Sequence, residues 1–101
     1  MATTSKALFR GAATTTLTTT LYTVPASTTT VVTSIVITNT AASAATFDLA
    51  LNGTKLADAT AIAADSFVVV DLKQAISATQ IIAGGASAVT VNFHISGVEI
   101  V

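Results

Sequence analysis

Apolar and polar positions along this chain alternate with a period of two, the mark of extended strands, and not with the 3.6-residue period of helices. The clearest stretch is TFDLALNGTKLA, residues 46–57, where Phe47, Leu49 and Leu51 alternate with Thr46, Asp48, Ala50 and Asn52. Asn52-Gly53 then supplies two successive positive-φ positions, as a type I′ turn requires, so the segment predicts a β-hairpin. Near the C-terminus Val89, Val91, Phe93 and Ile95 share one parity, and Thr90, Asn92, His94 and Ser96 the other. Past Gly97 the apolar parity moves to Val98 and Ile100, and a glycine at such a switch predicts a β-bulge.

The remaining segments follow the same grammar. Residues 14–24, TTTLTTTLYTV, predict a strand ended by Pro25, which cannot donate to a ladder. Residues 28–40 predict another. There Val31, Ile35 and Ile37 share one parity and Val32 and Val36 the other, so both faces are apolar or Thr. Such a strand is central or covered on both sides; Val32, Ser34 and Val36 are the expected contact face for a neighbouring subunit. Residues 67–72 and 80–83 predict short strands, residues 59–64 a loop or weak strand, and Gly84-Gly85 a turn. Phe47, Phe67 and Phe93 fall on apolar parities and are expected in the core. About seven strands, with turn signals between them and no helix, predict an all-β, antiparallel sandwich, jelly-roll-like or Ig-like. Its expected extent is residues 14–101.

Residues 1–13 have a different texture. Lys6, Leu8, Phe9, Arg10 and Gly11 stand in an Ala/Thr background, and the stretch reads as an N-terminal arm. Leu8, Phe9 and Arg10 are the expected partner-binding residues of that arm.

Composition adds a reason to look for partners. Of 101 residues, 51% are hydrophobic and only 9% charged, against a usual charged share of about 25%. Such a chain has ample material for a core and little for an ordinary mixed-charge surface. Thr-rich strand edges without Lys would invite pairing unless something covers them. The formal net charge of −1 calls for no nucleic acid. With no cysteine there is no disulfide framework and no thiolate metal site. No segment has the apolar length of a membrane helix, and residues 1–11 hold no secretory h-region.

Candidate chemistry is sparse. His94 is the one histidine and lies on the polar parity of its strand, without a second His or Cys to complete a triad or metal site. Asp58 and Asp65 lack calcium-loop spacing, and Asp48 and Lys55 are placed to pair across the hairpin. No catalytic residue, metal site or cofactor is expected.

LYTVPASTTTVVTSIVITNT (residues 21–40) together with NFHISGVEI (residues 92–100) resembles a group of small bacteriophage virion proteins. They share a strand ending in LYTVP, a polar turn, a strand of the form VVxSIVIxNT and an apolar Asn-Gly hairpin. The resemblance spans most of residues 17–101. Members are described as head decoration, tail or fibre-associated structural proteins. The resemblance implies a compact β-sandwich, often a homo-oligomer, that binds other virion proteins such as the major capsid or a tail protein, without catalytic residues. The expectation is a non-enzymatic capsid decoration or cement subunit, made in the host bacterial cytoplasm and carried in the virion. The alternative is a tail or tail-fibre module that binds a host receptor or glycan through loops such as Asn52-Gly53 or residues 83–87.

Overall fold

A computed structural model describes residues 2–101. They form eight strands: β1 (Thr3–Ala12), β2 (Thr19–Thr23), β3 (Thr29–Asn39), β4 (Ala45–Leu51), β5 (Thr54–Ile62), β6 (Ser66–Ile76), β7 (Ile81–Ala86) and β8 (Val91–Ile100). The strands make two four-stranded sheets, ordered β1-β8-β3-β6 and β2-β7-β4-β5.

The topology follows from one long antiparallel ribbon. β4 pairs with β5, β3 with β6, β2 with β7 and β1 with β8. The ribbon turns back at Asn52-Gly53, whose φ values of 48° and 85° are those of the expected two-residue hairpin. It then wraps into a sandwich, and β3·β8 and β4·β7 pairings close each sheet. This is the jelly-roll order, so of the two sandwich types expected the jelly roll is the one formed.

The core lies between the sheets, where Phe47 meets Phe93 edge-on with ring centroids 6.4 Å apart. Ile35, Ile37, Leu49, Ile82 and Ile95 fill the space around them. Each end of the sandwich is closed by a polar side chain on β3. At one end Asn39 donates to the carbonyls of Ser43 (2.9 Å) and Ala63 (3.3 Å) and accepts from the Ala41 N–H (3.1 Å). At the other, the Thr30 hydroxyl is 2.9 Å from the Tyr22 hydroxyl, which also hydrogen-bonds Glu99.

Four expectations are corrected. Residues 1–13 are not an arm: β1 pairs along its length with β8 as an edge strand of the first sheet, and Met1 lies outside the described residues. Gly84-Gly85 is not a turn but the interior of β7. The glycines are there because other backbone presses against them: a methyl group on Gly85 would meet the Leu17 Cα and Thr14 O at 2.9 Å. Phe67 is not core; it is 66% exposed on the outer face of β6. The bulge expected at Gly97 is not in β8, which keeps its alternation so that Val98 and Ile100 fall on the outward parity; the extra residues sit on the neighbouring strands, at Thr33 of β3 and Leu8 of β1.

The charge-poor β3 also gains a physical explanation. It is a central strand, hydrogen-bonded on both sides by β6 and β8. Six of the nine charged side chains fall on edge strands: Lys6 and Arg10 on β1, Lys55 and Asp58 on β5, Asp71 and Lys73 on β6. Three of the four edges thus carry charge that discourages edge-to-edge pairing. The expectation of uncharged edges needing cover is therefore corrected as well; only the five-residue β2 fits it.

Candidate interaction surface

The bulge at Thr33 decides which side chains of β3 face outward. Thr30 and Val32 point into the core on one side of it, and Ile35, Ile37 and Asn39 on the other. Val32 is fully buried, so it cannot touch a partner. Ser34 and Val36 do lie on the outer face, half-buried among their neighbours. Leu8, the extra residue of the β1 bulge, turns inward and is 8% exposed; Phe9 packs half-buried against the core. Of the six expected contact residues, the fold brings together Arg10, Ser34 and Val36 on one surface and places Leu8, Phe9 and Val32 in or against the interior.

That surface is the outer face of the first sheet, and the pairing registers lay it out in rows. One row runs Phe67, Thr38, Asn92, Ala12 from β6 across to β1. The next runs Val69, Val36, His94, Arg10, and the third Asp71, Ser34, Ser96, Ala7. Val69 is 56% exposed beside Phe67. Among the described residues Arg10 and Asp71 form no ion pair. Sequence reasoning missed Phe67, Val69 and Asp71 because β6 is apolar on both parities, and only its edge position shows which parity is wet.

The second sheet is different, because its own chain covers part of its outer face. Residues 14–17 cross over Gly85, with the Ala86 N–H donating to the Thr14 carbonyl at 2.9 Å. Beside them Asp48 is buried on the outward parity of β4. Its carboxylate accepts from the Lys55 ammonium across the hairpin, the expected pair, and from the Ala59 N–H at 3.0 Å. Lys55, and then the Ala59 N–H, hold the Asp48 carboxyl below its ordinary value, and Asp48 in turn raises Lys55. Ala59 sits at φ 47° in a β5 bulge that aims its N–H at this carboxylate.

Two further polar features lie at the rim. Glu99 bridges the sheets, accepting from Tyr22 on β2 and pairing with Lys6 of β1 at 3.5 Å. Burial first, and then the Glu99 carboxylate, push the Tyr22 phenol above its ordinary value. A cleft of about 360 Å³ opens between β5 and β6, with Asn52, Gln74 and Gln80 among its polar walls and Leu51, Leu56 and Ile76 among its apolar ones. Among the described residues no three His, Asp or Glu side chains gather as metal ligands would. The chain matches no protein-family model and no curated protein.

Proposed function

We propose that this chain is a non-enzymatic structural protein of a bacteriophage virion, a capsid decoration or cement subunit that acts by contact with other virion proteins. The observation that carries the reading is the open face of the first sheet. It presents Phe67 and Val69 to solvent, which suits adhesion. The LYTVP, SIVITNT and NFHISGVEI motifs support the same reading by resemblance. They also build this face: Val36, Thr38, Asn92, His94 and Ser96 all come from them. The test is to add the purified chain to capsids assembled without it. Co-sedimentation with heads at saturable stoichiometry is the expected result; chain left in the supernatant counts against it.

A second reading rests on the β5–β6 cleft. Three carboxamides, the Thr54 hydroxyl and the Lys55 ammonium beside an aliphatic wall suit a hydroxyl-rich ligand, and the volume is within the lower range of small-molecule sites. This favours a tail or tail-fibre module that binds a receptor glycan. A glycan array separates the two: specific sugar binding without head binding selects the second.

A further inference from the structure

We infer that the outer face of the first sheet is a self-complementary interface, on which a second copy of this chain packs face to face about a two-fold axis parallel to the strands. The inference rests on the reading of this face as a contact surface and names its partner.

A two-fold axis along the strands reverses strand order while keeping each row opposite itself, so β6 of one copy meets β1 of the other. The largest exposed side chain of the face, Phe67, then lies over Ala12, one of the smallest, because both belong to one row. Asp71 lies over Ala7 and one row from Arg10, within reach of a long guanidinium stem. Arg10 and Asp71, neither in an ion pair among the described residues of the single chain, therefore find each other twice, once on each side of the axis. Between them Val36 faces His94 and Ser34 faces Ser96, and the centre of the contact carries no Lys, Arg, Asp or Glu. An axis perpendicular to the strands does worse. It brings β1 to β1, and β1 carries no acid, so Arg10 stays unpaired while Phe67 meets the strand with the bulkier side chains.

The area agrees. Four strands spaced about 4.8 Å, each about ten residues long at roughly 3.3 Å per residue, present about 600 Å² per copy. The total of about 1,200 Å² lies at the lower edge of stable interfaces. The second sheet offers no equal alternative, since residues 14–17 and the Asp48–Lys55 pair occupy its outer face.

The test uses the purified full chain and sedimentation equilibrium. The wild type is expected to form a dimer of twice 10.1 kDa at roughly 100 μM, where even a complex from the weak end of the size range assembles. Arg10→Asp or Asp71→Arg alone turns both opposite-charge contacts into like-charge ones and weakens dimerisation at least about tenfold. An equimolar mixture of the two variants restores both contacts and dimerises like the wild type. Both residues are exposed, so the variants keep the wild-type melting temperature at concentrations low enough that the wild type is monomeric. A monomeric wild type, single variants that dimerise normally, or a mixture no better than its components overturns the inference. A chain that binds heads without dimerising overturns this inference alone, and a chain that dimerises without binding heads overturns the proposed function alone.

Discussion

At the scale of the residue, the side chains expected to bind a partner divide by burial. Leu8 and Phe67 exchange the roles that hydrophobic pattern alone assigned them. Leu8 is the extra residue of a bulge and packs where a methyl group on Gly97 would come within 2.8 Å of its Cδ1. Phe67 stands two-thirds exposed on an edge strand. Their truncations therefore separate. Leu8→Ala is expected to lower unfolding free energy by about 2–5 kcal/mol, as buried leucines do. Phe67→Ser should stay within about 0.5 kcal/mol at concentrations where the chain is monomeric, as exposed positions do. Denaturant midpoints measure both, and equal losses would mean that the burial assignment is wrong. The same contrast explains what pattern can and cannot show. Alternation says that residues 67 and 69 share a face, but only the neighbour missing from β6's outer edge decides how wet that face is.

At the scale of the element, local grammar and distant contact part company. The Asn52-Gly53 hairpin was legible because its two positive-φ positions and its alternating flanks lie within twelve residues. Gly84-Gly85 misled because its cause is far away in the chain. These glycines leave room for the β4 backbone on one side and for residues 14–17 on the other, and no local rule separates that from a turn. β1 was read as an arm for a similar reason, since its partner β8 lies at the other end of the chain. The mixed parity of β3 misled because the bulge at Thr33 flips the strand midway and makes two half-strands look like one two-faced strand. The hairpin also carries the clearest pH signature. Asp48 has its folded-state value below the unfolded one. Its stabilisation is thus complete above the ordinary carboxylate value of about 4 and is lost as pH falls through the lower folded value. Asp48→Ala leaves the Ala59 N–H without its acceptor and should cost about 1–3 kcal/mol at neutral pH. It should also flatten the decline in stability toward acid. An acid decline as steep as that of the wild type would count against the pair.

At the scale of the whole molecule, the ribbon explains where charge and contact surface lie. Wrapping a single hairpin four strand-pairs long puts β1, β6, β2 and β5 at the edges, and the charged residues gather there and leave the sheet centres to Val, Ile and Thr. The result is an elongated body of 46 × 21 × 18 Å. One broad side is partly roofed by its own chain and the other is open. The low charge of the sequence thus has two sources: a central β3 that needs none, and an open face whose middle carries no Lys, Arg, Asp or Glu. The central claim is that this open face meets a second copy with β6 over β1. The chain has no cysteine of its own, so thiol-specific cross-linking reads that contact without background. An equimolar mixture of an Ala12→Cys chain and a Phe67→Cys chain, treated with a bismaleimide whose span matches the roughly 10 Å between face-packed sheets, should yield the mixed cross-linked dimer with like pairs nearly absent. A statistical mixture of mixed and like pairs, or monomers alone, would contradict the account.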